Sequence, residues 1–92
     1  MNVLHCQRCG AEVPIPMLSS EVKHEISGVA RRASKIEAMI KLKEQAKLGI
    51  AEAKAVALHF SAQGDVCHRC NRELPDGDEV VCPKCHSLNL KW

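Results

Sequence analysis

Cys67-His68-Arg69-Cys70, then eleven residues, then Cys82-Pro83-Lys84-Cys85 is the stretch that decides how this 92-residue chain folds. The eleven hold Pro75-Asp76-Gly77-Asp78, turn chemistry flanked by two short strand-like pieces, so the two Cys-x-x-Cys knuckles face each other across a hairpin. Four sulfurs presented in this way reach the corners of a tetrahedron, the geometry that Zn²⁺ accepts without ligand-field preference. The gap is shorter than the ~15 to 20 residues of the general double Cys-x-x-Cys pattern. A hairpin, however, needs less chain than a crossover. With all four positions filled by protein the site is closed, which makes its role structural rather than hydrolytic. Thiolates alone do not separate zinc from iron, although zinc is the commoner structural occupant. Neither knuckle runs into a helix whose dipole would lower a thiol pKa, so dithiol redox chemistry is not expected.

The run Cys67-His68-Arg69-Cys70-Asn71-Arg72-Glu73-Leu74-Pro75-Asp76-Gly77, followed by Cys82-Pro83-Lys84-Cys85, resembles the zinc-ribbon family. That resemblance implies one structural Zn²⁺ on Cys67, Cys70, Cys82 and Cys85. Many ribbons carry glycine after each knuckle, where this chain has Asn71 and His86. Asparagine tolerates the left-handed backbone; histidine fits it less comfortably.

Cys6-Gln7-Arg8-Cys9-Gly10 repeats the knuckle pattern near the start of the chain, but six cysteines cannot fill two four-cysteine sites. His5, His24, His59, His68 and His86 are available to complete a second site on Cys6 and Cys9, which makes a Cys₂His₂ arrangement the natural candidate. His24 and His59 are the leading pair, because they fall near the start of the first helix and the end of the third. A metal shared between two chains and a free dithiol are the alternatives. Pro14-Ile15-Pro16 forbids helix after this knuckle and reads as an extended linker.

Between Ser19 and Gln63 there is no proline and the pattern is helical. Val22, Ile26, Val29 and Ala33 line one face of a first helix opened by Ser19 or Ser20, with Glu21 in its first turn. Ser34-Lys35-Ile36-Glu37 fits a capping box and starts a second helix, the alternative being one helix running through the serine. The second helix is expected to bury Ile36, Met39, Leu42 and Ala46 and to end near Lys47. Leu48-Gly49-Ile50 makes the next turn. The third is expected to bury Ile50, Ala53, Ala57 and Phe60 and to stop at Gly64. The fold class that follows is a small α+β, metal-stapled protein: residues 1–18 a knuckle and linker, 19–63 a helical hairpin or three-helix segment, 64–92 a ribbon β-hairpin.

Lys35-Ile36-Glu37-Ala38 and Leu48-Gly49-Ile50-Ala51-Glu52-Ala53-Lys54 resemble the helical hairpin in the C-terminal domain of bacterial ribosomal stalk proteins, over residues 35–54. In that family the hairpin docks translational GTPases, and the matching contact positions are Lys35, Ile36, Met39, Lys43 and Lys54. By spacing alone, Ile36 and Met39 read as core and the three lysines as a solvated face. The apolar faces must pack on each other, on the ribbon or on a second chain, and a homodimer is one solution.

At 46% hydrophobic and 26% charged the chain is globular, but only Phe60 and Trp92 are aromatic and ten residues are alanine, so a metal staple is expected. No leader of signal-peptide character opens it and no apolar run approaches the ~20 residues of a bilayer span, so a cytoplasmic protein is expected. The three segments carry formal charges of 0, +3 and −1. One Zn²⁺ on four thiolates takes the last to −3 and the whole chain to about neutral, which disfavours phosphate-backbone binding. No nucleophile-elbow, phosphate-loop or metalloprotease motif is present, and the acidic Asp76, Asp78 and Glu79 read as turn solvation. The expected function is therefore a non-enzymatic zinc-binding module for a protein partner, among translation or ribosome-associated factors. Nucleic-acid binding is the alternative, and a salt-dependent affinity for an oligonucleotide is its signature.

Overall fold

Val3 and Leu4 face Pro14 and Val13 across an antiparallel hairpin of β1 (Asn2–His5) and β2 (Glu12–Ile15), the first elements of a computed structural model that describes residues 2–62 and 65–92. The run Pro14-Ile15-Pro16 is thus no linker. Val13, Pro14, Ile15 and Pro16 are all buried, and β2 packs against the third helix. Proline is tolerated here because each strand of a two-stranded sheet is an edge.

Three helices follow: α1 (Ser20–Arg32), α2 (Lys35–Ala46) and α3 (Ile50–Leu58). Ser19 caps α1, its Oγ accepting from the Val22 amide at 3.2 Å, and Ser34 caps α2 by accepting from Glu37 N–H at 3.1 Å. The serine at position 34 therefore breaks the helix, each cap contributing about 1 kcal/mol. Lys47 ends α2 in the left-handed conformation, φ 56°, and the Glu52 carboxylate accepts from Gly49 N–H at 3.0 Å to open α3. No helix among the described residues is long and apolar enough to cross a membrane.

The three helices pack in sequence, α1 on α2 and α2 on α3. Ala38 and Leu42 of α2 and Ala53, Val56 and Ala57 of α3 are fully buried. Two residues expected in this core lie outside it: Ile36 is 69% exposed and Ile50 66%. At 100° per residue Ile36 falls about 120° around α2 from Leu42, off the inward face. Ile50 is the first residue of α3, which packs through its later turns.

The third helix also ends earlier than its periodicity suggests. After Leu58 the chain leaves the helix and pairs with the last strand: Ser61 N–H donates to Leu90 O at 3.1 Å and Leu90 N–H to His59 O at 2.8 Å. Tertiary pairing here outweighs helix propagation, and Phe60 is buried from this strand-like position rather than from a helix. Gly64, the expected cap, lies outside the described residues.

β3 (Glu79–Val81) and β4 (Leu88–Leu90) form a second antiparallel pair, with Val80 opposite Asn89. Leu88, Leu90 and Trp92 enter the main core, where Trp92 stacks edge-on to Phe60 at 5.5 Å. Trp92 also donates through Nε1 to Glu79 at 2.9 Å, and its carbonyl accepts from Ser27 Oγ and the Arg31 guanidinium. Glu79 and Asp78 pair with Lys23 at 3.5 and 3.7 Å, so part of the acidic cluster ties the hairpin to α1. A separate small core holds Cys67, Leu74, Val80 and Cys82, with Cys70 and Cys85 against it.

Candidate metal centres

All three Cys-x-x-Cys segments fold into the same loop. The first cysteine donates its N–H to the carbonyl five residues on: Cys6 to Ala11, Cys67 to Arg72 and Cys82 to Ser87, each at 2.9 Å. The residue after the second cysteine returns the bond to the first cysteine's carbonyl, from Gly10, Asn71 and His86 at 2.8, 3.1 and 3.0 Å. That residue must turn left-handed, with φ of 77°, 61° and 63° respectively. Only the first is glycine. Replacing His86 by glycine is expected to stabilise the protein by about 1 kcal/mol, and Asn71→Gly by less, since asparagine bears this conformation at lower cost. Thermal unfolding at fixed metal concentration checks the order; a destabilised His86→Gly would mean that the imidazole does work beyond the turn.

The knuckles of Cys67/Cys70 and Cys82/Cys85 bring their four sulfurs within 4.8 Å of one another. Cys67 Sγ lies 3.6 Å from Cys85 Sγ and Cys70 Sγ 3.4 Å from Cys82 Sγ. No disulfide links any of the six cysteines. A thiolate tetrahedron around an ion with 2.3 Å bonds needs sulfurs about 3.8 Å apart, so the group fits a tetrahedral metal with small adjustments. The crowded thiols divide their protons unevenly. The Ser87 hydroxyl holds Cys85 down to about 6 against the effect of burial. The Arg72 amide pulls Cys70 down too, but burial and the neighbouring thiols outweigh it and push Cys70 up to about 11. A bound cation would displace these protons.

Cys6 and Cys9 come together with His59, the three donor atoms again lying within 4.8 Å of one another, so that they could hold a metal ion. Cys9 Sγ is 3.3 Å from His59 Nε2, while His59 Nδ1 sits 2.6 Å from the carbonyl of Ala55, one turn back in α3. A nitrogen that close to a carbonyl must carry the proton, so Nε2 keeps its lone pair toward the cysteines, the arrangement that orients metal-binding histidines. Burial pushes the Cys6 thiol up. The Leu88 and Cys9 amides, the Cys9 thiol and His59 more than offset that, leaving Cys6 at about 6.

Of the two leading histidine candidates only His59 joins this group. His24 is exposed on α1 and stands in neither group. Sequence reasoning also passed over Asn89, which is fully buried between the two centres. Its Oδ1 accepts from His68 N–H at 3.0 Å and its Nδ2 reaches Cys67 Sγ at 3.5 Å, while the neighbouring Leu88 N–H points at Cys6 Sγ, 3.4 Å away. Residues 85–89 thus form a shared wall between the centres. Their only sequence signal is a polar residue alternating with leucines just past the last knuckle.

A cavity of about 360 Å³ opens beside Cys6, Cys9 and His59, lined further by Lys35, His68 and Arg69. Of the stalk-like positions, Lys35, Ile36, Lys43 and Lys54 are exposed, whereas Met39 is half-buried against the main core. Comparison with known proteins finds no matching family model, no matching curated protein and no matching solved structure.

Proposed function

We propose that both cysteine-rich groups bind Zn²⁺, the C-terminal one as a zinc ribbon, and that the protein is a non-enzymatic interaction module whose α2–α3 hairpin docks a protein partner. The observation that carries the reading is the outer surface of that hairpin. Ile36 and Ile40, one turn apart on α2, are 69% and 51% exposed, and Ile50 and Leu58 of α3 are 66% and 46% exposed. Lys35, Lys43 and Lys54 are exposed on the same two helices, as are Glu37, Glu44 and Glu52. Large aliphatic side chains left in water among charged ones favour a partner that covers the first and pairs with the second. The resemblance to the stalk hairpin directs the search to translational GTPases and ribosome-associated factors.

Phe60 and Trp92 support a protein partner over a nucleic acid, because at 3% and 6% exposure neither ring is free to stack on a base. Mixed thiolate and imidazole donors, as at Cys6, Cys9 and His59, are a common donor set of structural zinc. Calorimetric titration of the zinc-loaded protein with a panel of translational GTPases tests the proposal. The double variant Ile36→Asp/Ile40→Asp is expected to weaken the captured partner more than tenfold, since each buried isoleucine contributes about 1.5 to 3 kcal/mol. Charge reversal at Lys35, Lys43 and Lys54 should weaken it further and remove its salt dependence. An affinity indifferent to all five substitutions would exclude this face.

A further inference from the structure

Cys6, Cys9 and His59 supply three donors, and a tetrahedral ion takes four. Among the other side chains lining the adjoining cavity, Lys35 and Arg69 are cations, Leu58 is apolar and Ser87 carries a hydroxyl, which is not among the usual zinc ligands; His68 alone offers a further imidazole nitrogen. We propose that His68 Nε2 is the fourth ligand of the Cys6/Cys9/His59 centre. The knuckle of Cys67 and Cys70 would then serve both metals, with its cysteines on one ion and its histidine on the other.

Three observations carry this. First, the tautomer is fixed. Asn89 Oδ1 accepts from the backbone N–H of His68 at 3.0 Å, so the oxygen of that amide faces His68. His68 Nδ1 lies 2.8 Å from the same oxygen and must therefore be the protonated nitrogen, which leaves the lone pair on Nε2. Second, the support is rigid. Asn89 is fully buried, and its Nδ2 is occupied by Ser87 O at 3.1 Å and by Cys67 Sγ. This is the outer-shell carbonyl that metal-bound histidines use, as Ala55 O is for His59. Third, the two rings stand near the separation of two imidazoles that share an ion. With 2.0–2.1 Å bonds, two imidazoles on one tetrahedral ion have centroids about 5.2 Å apart. Those of His59 and His68 are 5.8 Å apart and steeply inclined, at 76°. His68 stands outside the present three-donor group, so closure requires its ring to move toward the ion with the bond to Asn89 kept.

The inference rests on a metal at Cys6, Cys9 and His59. It is tested on the unaltered chain by loading ¹¹³Cd²⁺ into protein labelled with ¹⁵N at histidine. The expected spectrum shows cadmium splitting at Nε2 of both His59 and His68, with His5, His24 and His86 unsplit. Splitting at His59 without His68 overturns the inference and leaves the metal reading intact. No splitting at any histidine overturns both. As a second readout, His68→Gln is expected to release metal from this centre roughly 10- to 100-fold more readily, at least the cost of losing an outer-shell partner. Competition with a chromogenic chelator should show the tetrad's ion unaffected in the same variant; equal retention at both centres would count against His68.

Discussion

Stripping metal from the protein with a strong chelator is expected to unravel residues 65–87 while α1, α2 and α3 stay packed. The small core of that segment holds Cys67, Leu74, Val80 and Cys82 with Cys70 and Cys85, so only Leu74 and Val80 in it are not candidate ligands. Burying those two contributes about 3 to 6 kcal/mol together. Ordering half a dozen residues at ~1 to 2 kcal/mol each already cancels that. A bound ion would supply the remainder, since structural zinc in small domains contributes about 10 to 16 kcal/mol. Amide hydrogen exchange reads the outcome residue by residue. The amides of Cys67, Asn71, Cys82 and His86, all bonded within the knuckles, should lose protection, while those of Ile26 and Leu42 keep much of theirs. Knuckle amides still protected in the chelated protein would mean that the loops hold themselves.

Leu42→Ala is expected to cost about 2 to 5 kcal/mol, because Leu42 is fully buried where α2 meets the main core. For a domain of this size that lowers Tm by about 10 °C or more. Ile36→Ala, six residues away on the same helix, should stay within about 0.5 kcal/mol of the parent, since its side chain is mostly in water. Both are measured at one saturating zinc concentration, so that metal binding contributes equally. Equal losses from the two variants would place Ile36 in a core and remove the hairpin surface from consideration.

What the sequence discloses and what it hides follow from the range of the interactions. The grouping of Cys67, Cys70, Cys82 and Cys85 was readable because only eleven residues separate the two knuckles. The hairpin, however, was misplaced: β3 pairs with β4 around the second knuckle and Val66 bridges Glu73 around the first, so among the described residues no strand pairs across Pro75-Asp76-Gly77-Asp78. The caps at Ser19 and Ser34 were likewise readable from nearness: each serine bonds an amide three residues on. The choice of His59 over His24 was not readable, because it depends on how α3 lies against the N-terminal hairpin, fifty positions from Cys9. Ile36 misled because a face pattern in one helix does not reveal how wide a stripe its neighbours cover. The early end of α3 was hidden for a related reason: Phe60 suits a helix by spacing, and only the distant Leu90 draws it into a bridge.

The bond from Leu88 N–H to Cys6 Sγ joins positions 82 residues apart, and it bears on how the molecule is made. On a ribosome Cys6 and Cys9 emerge first, yet their histidine partner follows Cys9 by 50 residues. At about 5 to 20 residues per second that interval lasts roughly 3 to 10 s. The wall of residues 85–89 arrives later still. Until then Cys6 and Cys9 lack the neighbours that surround them in the fold, so the group of Cys6, Cys9 and His59 is among the last parts of the described structure to be assembled.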